Sequence, residues 1–277
     1  MYNYLIPSIT SLPVGYDCHF QVAAQAIAVR LKGGTGELLR ITTVRHEGEV
    51  TELREEAISL RGGTVSEGEN RPFRWAGTAH SEWQQPGYLE IAYRTADDVP
   101  RFPSNQPLTP YAVYTAPGRK SFFTDHAQKF SNPAIIAQIA RYGQYMDTYP
   151  AVLLDRERDY GESLILINPY KKTVVARIAS HDGRALERIR VPAESARRID
   201  LAGLMGDGET AWRGRIQLTA NNRLVTYNVK HSLSDPSVIT DHEHLDPFRA
   251  DPTHFPATQQ FRIRVGALLG RLYKGCQ

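Results

Sequence analysis

Residues 164–169 read Leu-Ile-Leu-Ile-Asn-Pro, a short apolar run that stops at an asparagine and a proline. An apolar run of this length, bounded at once by turn residues, is typical of a strand that is covered on both faces of a sheet. Proline has no backbone N–H to donate to a neighbouring strand, so the strand has to end there. The stretch therefore predicts a central strand, and with it a fold built on β-sheet.

The residues that follow continue this pattern. Asp182-Gly183 is a strong hairpin turn signal, and Asn221-Asn222 indicates a second turn. Strands separated by turns at intervals of about eight to twelve residues predict a β-sandwich or barrel. The strand-like runs on either side of these turns are residues 173–179, 187–191, 215–219 and 224–229.

The first half of the chain has strand signals of its own. Residues 87–93 alternate between two faces, which indicates a half-buried strand, and residues 20–29 and 38–44 are further strand-like runs. Residues 52–60 fit either a helical turn or an edge strand. The prolines between residues 96 and 118 indicate an extended linker, because each proline removes a hydrogen-bond donor from a sheet.

One helix is predicted after this linker. Ser131-Asn132-Pro133 supplies a polar cap followed by proline at the first helical position, and Pro150 follows its end. The apolar residues that then recur at helical spacing are Ile135, Ile136, Ile139, Tyr142 and Met146.

The sequence therefore predicts a mainly β protein with two tandem β-sandwich-like units, joined by a Pro-rich linker and one helix. The N-terminal unit with its Pro-rich extension is placed at residues 1–125 and the linker helix at 126–155. The C-terminal unit, with a His/Asp-rich loop and a basic tail, is placed at residues 156–277.

Short matches between the two halves suggest a duplicated β unit. A histidine turn occurs at 46–48 and again at 181–183, and a tryptophan follows at Trp75 and at Trp212. Thr-Asp-His occurs at 124–126 and again at 240–242. Each match is only two or three residues long, so duplication and chance both remain open.

The second half also carries a family resemblance. It combines an apolar strand ending at Asn168, a Val-Pro-Ala edge at 191–193, an Arg-to-Leu stretch at 198–204 and an apolar strand leading to His231. Over about residues 160–235 this combination resembles the small β-sandwich proteins related to the sensory rhodopsin transducer. The resemblance implies a β-sandwich that binds partners or small ligands and tends to oligomerise. It implies no catalytic residues.

The composition limits the functional classes. The 277-residue chain is 41% hydrophobic and 23% charged, which is typical of a globular protein and excludes disorder. Its net charge of +3 comes from arginines interleaved with acidic residues, so no nucleic-acid partner is expected. No transmembrane segment and no signal peptide are recognised, and a cytoplasmic protein is expected. Cys18 and Cys276 do not form a disulfide framework.

Residues 239–255 hold the densest group of potential metal ligands. In an extended segment His242 and His244 project to the same face, and Asp246 and His254 could complete the shell of a divalent transition metal such as zinc. Asp246-Pro247 is equally a turn starter, which indicates an ordinary structured loop. A histidine pH sensor is a third interpretation.

Other side chains have simpler interpretations. His46, His181 and His231 lie at turns or strand ends, where a structural hydrogen bond is expected. The tyrosines in and around the linker indicate either core packing or a partner surface, and core packing is preferred.

The basic tail is predicted to begin as a strand, because Phe261, Ile263 and Val265 alternate, and to continue as an amphipathic turn through Leu268, Leu269 and Leu272. We expect the tail to dock on the domain, with a basic membrane-surface anchor as the alternative.

Two functional hypotheses follow from the sequence. The first is a non-enzymatic binding or interaction protein that has no cofactor and whose partner is a second copy of itself or another protein. The alternative is a metal-binding protein or metal-dependent enzyme that uses the His242/His244 loop.

Overall fold

The structure is a computed structural model, and part of the chain is described in it. The described residues are 2–7, 17–22, 26–32, 37–46, 49–58, 71–76, 87–95, 97–99, 101, 104, 111–115, 122–131, 146–148, 150–186, 188–235, 238–245, 248–249, 261, 265 and 268.

Strands make up most of the described part of the first half. In chain order they are β1 (Tyr2–Pro7), β2 (Asp17–Val22), β3 (Ala26–Lys32), β4 (Glu37–His46), β5 (Glu49–Ile58), β6 (Arg71–Ala76), β7 (Tyr88–Tyr93), β8 (Tyr111–Thr115), β9 (Phe122–His126) and β10 (Gln128–Ser131).

The second half continues in the same way, with one 3-10 turn at Ala202–Leu204. Its strands are β11 (Met146–Thr148), β12 (Ala151–Asp155), β13 (Tyr160–Asn168), β14 (Val174–Ser180), β15 (Ile189–Val191), β16 (Ser195–Asp200), β17 (Ala211–Ala220), β18 (Val225–Ser232), β19 (Ile239–Leu245) and β20 (Phe248–Arg249).

These strands form three antiparallel sheets. A four-stranded sheet has the order β10-β1-β7-β3, and a six-stranded sheet has the order β5-β4-β6-β2-β8-β9. The largest sheet follows the path β15-β14-β17-β12-β13-β18-β19, with β11 pairing with β17 and with β20, and with β16 beside β13. The expectation of a mainly β protein is confirmed, and β5 is an edge strand.

Strand β13 contains the run from which the fold was predicted. Leu164, Ile165, Leu166 and Ile167 are all fully buried, as expected of a strand covered on both faces. The strand pairs with β18 on one edge and with β16 on the other, so it lies inside the sheet.

Asn168 ends β13 through its own side chain. Its Nδ2 group donates to the carbonyls of Lys172, Val191 and Pro192 at 2.8, 3.0 and 2.7 Å, and its Oδ1 accepts from Tyr170 N at 3.0 Å. One buried amide thus fixes the turn after β13 and ties it to the end of β15.

A single apolar core joins the two halves. It contains Leu5, Leu89 and Tyr93 from the first half together with Leu164 and Val229 from the second. Tyr227 adds a polar link, because its hydroxyl donates to Leu5 O at 2.8 Å and accepts from Gln128 N at 3.2 Å. Strands β1 and β10 are therefore hydrogen-bonded to β18 through one buried side chain.

Two local predictions are corrected. The linker helix predicted at 126–155 contains strands instead at 128–131, 146–148 and 151–155, which are β10, β11 and β12; their pairing with β1 and β17 outweighs the local helical pattern. The rest of that helix, 132–145, lies outside the described residues. Phe261 and Val265 were predicted to lie in a strand, but both are helical, as is Leu268.

The described part of the chain contains no helix that is long and apolar enough to cross a membrane.

The Tyr227 link can be tested by removing one hydroxyl. We expect Tyr227→Phe to lower the free energy of unfolding by about 1–3 kcal/mol, because the buried Leu5 carbonyl and Gln128 N–H lose this partner. Urea denaturation measures the change. Tyr160→Phe is the matched control, since that half-buried hydroxyl has no hydrogen bond to any other described residue. An equal effect of the two substitutions would contradict the link.

Candidate functional site

The two histidines proposed as metal ligands lie on strand β19. His242 is opposite Val229 and His244 is opposite Tyr227 in the pairing with β18. The segment is extended, so the two side chains share one face, as the sequence predicted.

His242 lies in the interior beside an aromatic ring. The side chain is buried, and its ring lies 5.3 Å from the ring of Tyr227. The neighbouring carboxylates of Asp241 and Glu243 alternate to the other face, where Lys230 Nζ binds them at 2.6 and 3.4 Å. Across the described ranges, no group of three or more His, Cys, Asp and Glu side chains is close enough to hold a metal. Asp246 and His254 lie outside those ranges.

A buried polar cluster next to β13 is the most catalysis-like arrangement in the described residues. His231 Nδ1 lies 2.8 Å from Ser232 O, and a carbonyl can only accept, so Nδ1 carries the proton. His231 Nε2 is therefore an acceptor, and it lies 2.8 Å from Ser163 Oγ and 3.1 Å from Arg198 Nη2. The cluster pairs a hydroxyl with an imidazole, as a nucleophile and its base would be paired.

Burial prevents that pair from meeting a substrate in this structure. Ser163 is 0% exposed and His231 is 2% exposed. Burial lowers the pKa of His231 and outweighs the hydrogen bond to Ser232 O, which raises it; the neutral ring is therefore favoured. The hydrogen bonds fit the structural role that the sequence suggested for His231. Gly161 lies opposite, and a Cβ atom there would come within 3.1 Å of the ring.

Glu162 is the matching polar group on the other face of β13. Its Oε1 accepts from Leu153 N at 2.8 Å, and its Oε2 accepts from Asn228 Nδ2 at 2.7 Å. Burial raises the pKa of this carboxyl above its ordinary value. The side chain thus connects β12, β13 and β18 and is occupied by structural hydrogen bonds.

A second charged group surrounds the predicted Asp182-Gly183 turn. Gly183 has a φ of 90°, which glycine adopts without strain and which this turn requires. Asp182 Oδ2 accepts from Trp212 Nε1 at 3.0 Å and lies 2.9 Å from Arg184 Nε, while Arg184 Nη2 donates to Glu209 at 2.8 Å. These side chains bind one another and thereby stabilise the turn.

The surroundings of this turn differ between the two proposed repeats. Trp212 lies beside the histidine turn at 181–183, whereas Trp75 pairs opposite Leu38, at the far end of β4 from His46. The two turn-to-tryptophan segments are therefore built differently, and duplication stays a prediction.

The tyrosines with described side chains belong to the core. Tyr88 and Tyr93 are fully buried, and Tyr93 packs edge-on against Tyr4 at 5.8 Å between ring centroids. The preferred interpretation of core packing holds for these two. The side chains of Tyr111, Tyr114, Tyr142, Tyr145 and Tyr149 lie outside the described part.

Among the described side chains, the large exposed apolar ones are concentrated at residues 261–268. Phe261, Val265 and Leu268 are helical and are 68%, 37% and 57% exposed. Each of the three is helical, and their spacing of four and then three residues is that of one side of a helix. We call these three side chains the 261–268 face. Docking of the tail on the domain stays a prediction, since most of the tail lies outside the described residues.

The buried His231 cluster predicts a pH effect on stability. In the unfolded chain a histidine has a pKa near 6.5, whereas the folded protein holds His231 below that value. Its contribution to stability is therefore complete above about pH 6.5 and is lost as the pH falls below it, by at most about 1.4 kcal/mol per pH unit.

Urea unfolding at several pH values between 7.5 and 5.5 measures this effect. We expect His231→Gln to be less stable than the parent at pH 7.5 and to lose less stability on acidification. The control is His181→Gln, which changes an exposed histidine in a turn. The same pH slope for the parent and His231→Gln would refute the assignment.

Comparisons with protein-family models, with curated proteins and with solved structures found no match for this chain. The resemblance to the transducer-related sandwiches therefore stays a prediction.

Proposed function

We propose that this protein is a non-enzymatic interaction protein in which a β-sheet framework presents the 261–268 face to a partner. The observation that carries the proposal is the exposure of Phe261, Val265 and Leu268 on one side of a helix. Single exposed apolar residues are ordinary, but several on one face mark a contact surface.

The polar groups of the framework support the same proposal. Ser163, His231 and Glu162 have the chemistry of catalytic residues, yet each is buried and hydrogen-bonded to neighbouring strands. These groups hold the sheet together in this structure. Contact with other molecules is then assigned to the surface.

The framework itself is proposed to consist of two tandem β-sandwich-like units. This proposal is supported by the pairing of the described strands, which stays either within residues 2–131 or within 146–249. The shared core and the Tyr227 link make the two units depend on each other for stability.

The accessibility of the 261–268 face can be measured by retention of the full chain on a phenyl matrix. We expect the triple variant Phe261→Ser, Val265→Ser, Leu268→Ser to elute earlier than the parent and to keep its melting temperature, because exposed side chains contribute little to packing. Leu153→Ser is the control, since Leu153 is an exposed apolar residue on β12. If the triple variant and the parent are retained equally, the face is covered and the proposal fails.

A second candidate function is transition-metal binding at β19. The observation that favours it is the placement of His242 and His244 on one face of the strand. In this case Asp246 and His254 supply the remaining ligands.

Elemental analysis of the purified protein tests this candidate. Metal binding predicts near-stoichiometric zinc in the parent and its loss in His244→Ala and in His254→Ala, with His181→Ala as an exposed control. A parent protein without stoichiometric metal would rule the candidate out.

A further inference from the structure

The 261–268 face lies in a basic part of the chain that contains no acidic residue. Residues 252–277 contain Arg262, Arg264, Arg271 and Lys274 and no acidic residue. Without these four, the chain has 29 basic residues against 30 acidic ones, so the entire net positive charge of +3 comes from this segment. An apolar face within a positively charged segment is complementary to an anionic surface that also offers an apolar layer.

We propose that the 261–268 face docks on an anionic lipid surface, with the apolar side chains in the interfacial region and the basic side chains against the headgroups. The proposal rests on the proposed function and names the partner's chemistry. A bilayer surface supplies negative headgroups and an apolar layer within a few ångströms of each other, as such a segment requires.

A second copy of this chain fits the segment less well. The rest of the chain is close to neutral, so it offers no overall charge that complements the four basic residues. Several of the described surface carboxylates, among them Asp182, Glu209 and Asp241, are already paired with cations of their own chain. The charge balance therefore favours the lipid surface over self-association.

The composition of the segment also favours lying on a bilayer rather than crossing it. The uncharged stretch that contains Val265 and Leu268 runs only from 265 to 270, and the longest uncharged stretch of the segment, 252–261, is largely polar; both are far short of the roughly 20 apolar residues that a span needs. Gly266 and Gly270 lower the intrinsic stability of a helix here. A helix that is weak in water gains stability when its apolar face is buried, so lipid binding is expected to increase its helical content.

Co-sedimentation of the full chain with lipid vesicles tests the proposal. The vesicles are of phosphatidylcholine alone, or contain roughly one-third phosphatidylserine to give a negative surface. We expect binding to the phosphatidylserine vesicles, weakening with added salt, and at least about tenfold weaker binding to phosphatidylcholine alone.

Two variants separate the apolar and the charged contributions. The apolar variant is Phe261→Ser, Val265→Ser, Leu268→Ser, and the charge variant replaces the four basic residues of the segment by glutamine. Each is expected to reduce binding to phosphatidylserine vesicles by about tenfold or more.

Two matched controls keep the test specific. Leu153→Ser matches the apolar variant, because it removes an exposed apolar residue elsewhere. A second control matches the charge variant, because it removes four positive charges from exposed positions of the C-terminal sheet and its loops. Both are expected to bind as the parent does. The four positions of the charge control, each changed to glutamine, are Lys171, Lys172, Arg188 and Arg213.

The outcomes distinguish this inference from the proposed function. Equal binding to both vesicle types, or binding that neither variant reduces, overturns the lipid assignment. A different result is that the parent does not bind vesicles, that sedimentation velocity shows it to be an oligomer, and that the apolar variant is a monomer. In that case the face joins copies of the chain. That result overturns the lipid assignment and leaves the proposed function standing. If the triple variant and the parent are also retained equally on the phenyl matrix, the lipid assignment and the proposed function are both overturned.

Discussion

The double-sided burial of strand β13 is the constraint on which the rest of the structure depends. Four consecutive apolar residues, Leu164 to Ile167, are removed from water on both faces, and this is possible only if strands cover both edges and other layers cover both faces. Strands β16 and β18 cover the edges. Burial of this strand therefore requires the large sheet to form around it.

The same constraint explains why polar residues flank the apolar run. A buried polar group is costly unless it is hydrogen-bonded, so each one near β13 connects elements. Glu162 joins β12 and β18, Ser163 holds His231, and Asn168 fixes the following turn. Tyr227 extends this pattern to β1 and β10. In this structure these buried polar groups are occupied by structural hydrogen bonds, and the exposed 261–268 face is the surface that we propose for a partner.

Local sequence signals were sufficient where the chemistry is local. The apolar run at 164–167 identified the central strand, and Asp182-Gly183 identified a turn that needs a positive φ. Local signals failed where the same residues fit both the two-residue period of a strand and the spacing of a helix. Phe261 and Val265, with Ile263 between them, fit a strand of period two, but Phe261, Val265 and Leu268 also fit one side of a helix. At residues 131 and 146 strand pairing with distant segments decided the outcome.

In the candidate sites, too, the local geometry could be predicted but the contacts between distant residues could not. The same-face placement of His242 and His244 follows from strand geometry alone, and the structure has it. The partners of His231 could not be found, because Ser163 and Arg198 lie 68 and 33 residues away and meet it only through the register of β13, β16 and β18. The exposure of the 261–268 face depends on what the rest of the chain leaves uncovered, which a sequence does not specify.

The central claim is that the framework stays unchanged while the segment around 261–268 makes the contact. Hydrogen–deuterium exchange of the full chain, with and without phosphatidylserine vesicles, tests it most directly. The account predicts slower exchange in peptides that contain residues 261–268 and unchanged exchange in peptides from β13 and β18. Unchanged exchange at 261–268, or a change centred on β13 and β18, would contradict it.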